Sequence, residues 1–261
     1  MKVFKNKYKN IGYLIYRIVS PVVDPLKIAS GLYGYSWFVR DLVRFRNIKN
    51  GEKIKLIDLY PALHDKSIDT SLDAHYFYQQ LWAFENIQKS CAKKHVDVGS
   101  TYEMSGYLSK ITSAEFVDIR PINTSLSNLK IVNGDVTKLP YKDGEIKSLS
   151  CLHVIEHVGL GRYGDKVDPN GSVKGMKELQ RVLSENGKLY FSTPVGVPRI
   201  CFNAHRVFSP SYIVKTFSLL SLVSFSFVND DGVFIENVDI SSAENQNYAC
   251  GMFIFEKKHG A

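Results

Sequence analysis

The chain has 261 residues, 44% of them hydrophobic and 23% charged, which suits a folded globular protein and excludes a disordered one. Its formal net charge of +7 is unevenly placed: residues 1–56 hold twelve Lys/Arg against three Asp/Glu, and the other 205 hold 21 against 23. A basic arm of +9 thus precedes a body of −2, which argues against a nucleic-acid-binding protein and leaves a local contact with an anionic surface open.

In the arm, Leu14, Ile15, Ile18, Val19 and Val22 continue from Ile11 at helical spacing, predicting an amphipathic helix over residues 10–23 that Pro21 and Pro25 should end. A second segment, 32–45, is dense in aromatics and arginine. Such a pair can lie in a membrane interface, or its apolar stripe can pack on the protein's own core. No run of about 18 apolar residues predicts a transmembrane helix, and Arg17 interrupts the stretch that a signal peptide would need. Residues 53–60 alternate as a strand does. Asp69 or Ser71 should open a long aromatic-rich helix over 72–93, and the boundary is expected near 90–95: a basic arm and helical cap over 1–93, then a sheet domain over 94–261.

The body predicts strands at 95–98, 115–119, 129–133, 147–154, 187–193, 221–228 and 248–256. Helices are expected at 171–183, stopped by Asn186-Gly187, and at 209–220, opened by Ser209-Pro210. This order predicts an α/β fold with a doubly wound, seven-stranded, mostly parallel sheet, whose ligands bind at the carboxyl ends of the strands. The four cysteines have no CxxC spacing and read as free thiols in a reducing compartment.

The strand ends carry the chemistry. Gly99 follows Asp97-Val98, where a glycine lets backbone approach a ligand. Asp118 lies 21 residues after Asp97, a distance at which an acid can accept from ribose hydroxyls, and Gly134-Asp135 puts a third acid on the same edge. HVDVGS, FVDIRP, NGDVTKLPY, LSCLHVIEH and ELQRVLSENGKLYFSTP together resemble the successive motifs of class I S-adenosylmethionine-dependent methyltransferases, over residues 94–258. With DAHYFYQQLWAFENI and HVGLGRYGDKVDPNG, the pattern resembles an uncharacterised methyltransferase-like family associated with bacterial surface-polysaccharide gene clusters. The resemblance implies a Rossmann-like sheet with a reversed last strand. It implies S-adenosylmethionine held at Asp97 and Gly99, with Asp118 on the ribose and Asp135 near the adenine. Thr101 and Glu103 stand where the family has its second and third glycines and add bulk to the loop.

His153, Glu156 and His157 are spaced to share one helical face, and His205 follows the next strand. Glu156 or His157 could act as acid or base. The set His153, Glu156, His157 and His205 could hold a divalent metal of the borderline transition class, as in methyltransferases with a similar E-x-x-E-H motif. In the glycine-rich loop 159–171, Arg162 could grip an anion, Tyr163 stack on a sugar and Asp165 orient a hydroxyl or serve as base. His205 and Arg206, with Arg199, would complete a substrate rim, unless the loop is a plain turn. The expectation is a cytoplasmic methyltransferase, peripheral at the inner membrane through residues 1–50. It would O-methylate a sugar or glycan precursor in surface-polysaccharide biosynthesis. The alternatives are a non-catalytic module scaffolding glycan assembly and a metal-assisted sugar-modifying enzyme.

Overall fold

A computed structural model describes residues 11–48, 51–66, 70 and 72–258. The chain divides into two compact units, residues 1–71 and 72–261.

In the first unit, α1 (Ile11–Val19) stops before Pro21, as its sequence predicts. Pro25, in contrast, opens a helix. It occupies the first turn of α2 (Pro25–Arg46), where its missing N–H costs nothing. Asp24 caps that helix, accepting from the amides of Leu26 at 3.0 Å and Lys27 at 3.2 Å. Residues 53–60 form no strand; they contain only a 3-10 turn at Leu56–Asp58, because alternation alone supplies no partner edge. The following segment lies along α2: Lys66 Nζ meets Asp41 at 2.9 Å and stands 4.7 Å above the Trp37 ring. Gly34 makes this approach possible, since a Cβ there would fall 2.8 Å from Leu63 Cβ. Leu14, Ile15 and Ile18 of α1 are exposed. No helix among the described residues is long and apolar enough to cross a membrane.

The second unit begins upstream of the boundary read from the sequence. Its first helix, α3 (Ala74–Lys89), capped by Asp73, packs against the sheet. Trp82, Ala83 and Ile87 on its inner face are buried with Met104, Leu108, Phe116 and Tyr190. The expected openers Asp69 and Ser71 lie outside the described residues.

All seven expected strands are present: β1 (Lys94–Val98), β2 (Ser113–Asp118), β3 (Leu129–Asn133), β4 (Ile146–Leu152), β5 (Leu183–Val195), and further on β8 (Leu220–Val228) and β10 (Ala249–Lys257). A short edge strand, β9 (Phe234–Ile235), makes eight, in the order β3-β2-β1-β4-β5-β10-β8-β9. β1 to β5 run parallel to one another, and β10 runs antiparallel to both β5 and β8. β6 (Arg199–Cys201) and β7 (His205–Val207) form a separate hairpin, too short to be read from periodicity. The crossovers are α4 (Tyr102–Leu108), α5 (Gly171–Val182) and α6 (Pro210–Thr216), while residues 120–128 carry no helix, in keeping with their length.

The strands bury both faces. Successive residues of β5 and β10 point to opposite sides, so Leu189, Phe191, Phe253 and Phe255 join one core while Tyr190, Met252 and Ile254 join the other. Asn186-Gly187 does not stop α5, which ends at Val182. The pair sits in β5, where Asn186 has φ +56° and the pairing slips from Ile146–Leu183 to Ser148–Lys188.

Candidate functional site

The strand order reverses between β1 and β4, and a cavity of about 470 Å³ opens at the carboxyl ends of β1 to β4. Gly99 forms its floor at φ +65°, a conformation that favours glycine; a Cβ there would also lie 3.1 Å from Val154 Cγ1. Asp118 and Asp135 line the cavity as expected. Asp118 Oδ1 accepts from the Arg120 amide at 2.6 Å, and Asp135 Oδ1 from the Thr137 amide at 2.7 Å and its hydroxyl at 2.8 Å. Each retains a second oxygen for a ligand. Apolar walls come from Phe116, Ile122, Val136 and Leu152.

Asp97 is not a cavity residue. It is 1% exposed and accepts from Ser100 Oγ at 2.6 Å, Ser105 Oγ at 2.8 Å and Ser150 Oγ, so it ties β1, β4 and α4 together from beneath. Burial pushes its carboxyl up to about 6, against the three hydroxyls that favour the charged form. Thr101, at the second glycine position, caps α4: its hydroxyl accepts from the Met104 amide at 3.3 Å and from Gln80 Nε2 at 3.0 Å. Glu103 stands on the exposed rim, in the first helical turn, where a carboxylate suits the helix dipole.

After β4 the chain turns without forming a helix, so His153, Glu156 and His157 do not share a helical face. His157 lies on the cavity wall. Its Nδ1 is 2.6 Å from the Ala204 carbonyl, an acceptor only, so Nδ1 carries the proton and Nε2 keeps its lone pair. Arg162 Nη1 donates to the same carbonyl at 3.0 Å. Burial lowers the His157 pKa below the ordinary value, and the Arg162 charge adds to that, so the ring is neutral near pH 7. Glu156 is fully buried, with Oε1 3.0 Å from His153 Nδ1 and 3.8 Å from His157 Nε2. Burial opposes its ionisation, but His153 outweighs that and holds its pKa down. Glu156 does not line the cavity, so it supports the histidines and is not itself placed to meet a substrate.

The expected metal quartet does not converge. Among the described residues, the one group of histidine, cysteine and acidic side chains whose ligand atoms come together is His75, His153 and Cys250. His205 is not in that group; its ring lies 5.0 Å from that of Tyr248. The substrate rim also changes. Arg206 is buried, donating to the Val158 carbonyl at 2.7 Å, and Arg199 Nη1 donates to the Asn247 carbonyl at 2.7 Å, so both brace loops. Asp165 is near the cavity, but its oxygens accept from the amides of Gly159 at 2.7 Å and Tyr163 at 3.2 Å, which makes it the clasp of its loop and a poor base. Gly159 closes the loop's other end, where a Cβ would fall 2.0 Å from the Asp168 carbonyl oxygen.

Tyr163 lies on the cavity rim, 37% exposed and edge-on to His157 at 5.5 Å, with Arg120 4.3 Å and Arg162 5.0 Å from the ring centre. Sequence reasoning missed Arg120, Tyr76 and the His75–Cys250 contact. Tyr76 lines the cavity, and burial raises its hydroxyl to about 12. The only signal for the pair was its setting: His75 in the quoted DAHYFYQQ segment, Cys250 in a strand.

A Rossmann-like sheet with this strand order, in which the last long strand of the chain, β10, is reversed between β5 and β8, is the fold of class I S-adenosylmethionine-dependent methyltransferases. A candidate sarcosine dimethylglycine methyltransferase from Galdieria sulphuraria matches with TM-score 0.50 at 13% identity, over 70% of this chain and 86% of that one. The 4+2 cyclase SpnF matches with TM-score 0.50 at 9% identity, over 69% and 82%. The 1,6-didemethyltoxoflavin-N1-methyltransferase of Burkholderia thailandensis matches with TM-score 0.47 at 11% identity, over 74% and 94%. The first two likenesses show the fold alone. No curated protein matches in sequence. The profile of family DUF268, described as a Caenorhabditis protein of unknown function, matches residues 124–257, just over half of the chain. The chain belongs to this family.

Proposed function

We propose that the protein is an S-adenosylmethionine-dependent O-methyltransferase acting on a sugar or glycan precursor. The observation that carries this reading is His157, neutral and with Nε2 unprotonated, on the wall of the same cavity that Gly99, Asp118 and Asp135 line. The donor set fits the cofactor. Asp118 offers an oxygen for two ribose hydroxyls, Asp135 one for the adenine side, and the apolar walls would cover the base. When bound, S-adenosylmethionine supplies an electrophilic methyl group. His157 Nε2 would take the proton that the acceptor hydroxyl gives up, and the Ala204 carbonyl would stabilise the resulting imidazolium through Nδ1. Arg120 and Arg162, both held over the Tyr163 ring, offer a phosphate of the acceptor two guanidinium groups. The sheet is shared with a cyclase, so the fold by itself does not decide the reaction. Replacing Asp118 by Ala is expected to weaken S-adenosylmethionine binding about ten- to a hundredfold by calorimetry, since two charge-assisted hydrogen bonds are lost. Unchanged affinity would remove Asp118 from the site.

We further propose that the arm seats the protein on an anionic membrane face. The exposed Leu14, Ile15 and Ile18 of α1, beside Arg17 and the +9 charge, support this. Deleting residues 1–50 should abolish co-sedimentation with vesicles containing anionic lipid, and retained binding would sink the proposal.

A further inference from the structure

We propose that His75, His153 and Cys250 form a zinc(II) site at the wall of the cavity, which His153 itself lines; the inference does not rest on the binding of S-adenosylmethionine. One ligand atom from each lies within 4.8 Å of the others, and His153 Nε2 is 3.2 Å from Cys250 Sγ. A tetrahedral zinc ion sets nitrogen and sulfur ligands roughly 3.3–3.6 Å apart, so modest side-chain movement closes the set. Two imidazoles and a thiol suit a borderline or soft ion and disfavour magnesium or calcium.

Glu156 gives independent support. It is fully buried, and its Oε1 lies 3.0 Å from His153 Nδ1 without a well-aligned hydrogen bond. A carboxylate behind the far ring nitrogen is the arrangement that orients metal-bound histidines: it holds a proton on Nδ1 and leaves Nε2 for the ion. Here Nε2 faces the cysteine. The His153 backbone is the third observation. At φ +55° it adopts a left-handed conformation uncommon for a residue with a side chain, and this directs the ring between Glu156 and Cys250. His75 is steadied by Tyr248, whose ring stacks on it at 5.2 Å and 23°.

The ligands come from the first turn of α3, the turn after β4 and strand β10. An ion there would pin α3 to the sheet beside His157 and keep a fourth position for water or a substrate oxygen. On binding, Cys250 releases its thiol proton to solvent and coordinates as thiolate.

The test uses the full chain, stripped with chelator and titrated with zinc(II), and with cobalt(II) as a spectroscopic probe. One equivalent of zinc should bind and raise the melting temperature, and cobalt should give a thiolate charge-transfer band. Cys250→Ser should abolish the band, His75→Ala should weaken zinc binding at least tenfold, and Glu156→Gln should weaken it about 10- to 100-fold. His205→Ala should bind as the wild type does. His75 is only partly buried, so its variant tests the site even if the Cys250 or Glu156 variants fail to fold. Absence of stoichiometric zinc, or of the band in a protein folded by circular dichroism, overturns the proposal. So does loss of zinc with His205→Ala and not with His75→Ala. S-adenosylmethionine affinity of the stripped protein reports the cofactor reading separately.

Discussion

Replacing His157 by Gln is expected to lower methyl transfer to a sugar acceptor by about 10²- to 10⁴-fold, the usual contribution of a positioned general base. Gln retains a donor for the Ala204 carbonyl but has no basic lone pair, so the loop beneath should persist while proton removal fails. S-adenosylmethionine affinity should be unchanged, which separates loss of chemistry from loss of binding. The measurement is transfer of a labelled methyl group to nucleotide-sugar and glycan acceptors. Asp165→Asn is the contrasting variant. Its carboxylate holds the amides of Gly159 and Tyr163, so its effect should fall mainly on acceptor KM through the position of Tyr163. If Asp165→Asn abolishes turnover while His157→Gln does not, the base is Asp165 and the assignment is wrong.

The second large effect is on stability. His95 is fully buried between Ser148 Oγ at 2.7 Å and Ser150 Oγ at 2.9 Å, and burial depresses its pKa to about 3. In the unfolded chain it titrates near 6.5, so below that pH the unfolded state binds more protons and stability falls. Between pH 6.5 and 4.5 the loss is on the order of 3 kcal/mol. Asp97 acts in the opposite sense. Its pKa is raised to about 6, so between about pH 4 and 6 the folded state binds more protons, and stability falls as pH rises through that window. Ser150 Oγ contacts both groups, so the two opposing contributions meet at one hydroxyl. In the wild type the two contributions therefore partly offset each other. Denaturant unfolding of single variants should separate the two contributions. The advantage of wild type over His95→Gln should shrink by roughly 3 kcal/mol from pH 7 to 4.5, and its standing relative to Asp97→Asn should improve over the same range. Parallel profiles for all three proteins would contradict the assignment.

The parts of the fold legible in the sequence are those specified locally. Strands such as GKLYFST and ACGMFIFEK carry long apolar runs because both faces of the sheet are covered there, and Ser209-Pro210 marks the start of α6 by its own cap chemistry. Gly99, Asp118 and Asp135 were legible because strand ends in this topology meet at one edge. What failed depended on distant partners. Residues 53–60 alternate without an edge to pair with, and α3 was assigned to the arm because its aromatic face gives no sign of which unit it covers. Arg206 reads as an exposed cation until β7 carries it against the Val158 carbonyl. The metal quartet assumed a helix after β4; the left-handed turn at His153 instead sends that ring toward Cys250, 97 residues away.

Isothermal calorimetry on the purified full chain decides whether the cavity at the ends of β1 to β4 binds S-adenosylmethionine, as proposed. Saturable, stoichiometric binding of S-adenosylmethionine and of its demethylated product is expected, weakened by Asp118→Ala. Absence of binding heat for both ligands at millimolar concentration, in a protein whose fold is intact by circular dichroism, would contradict it.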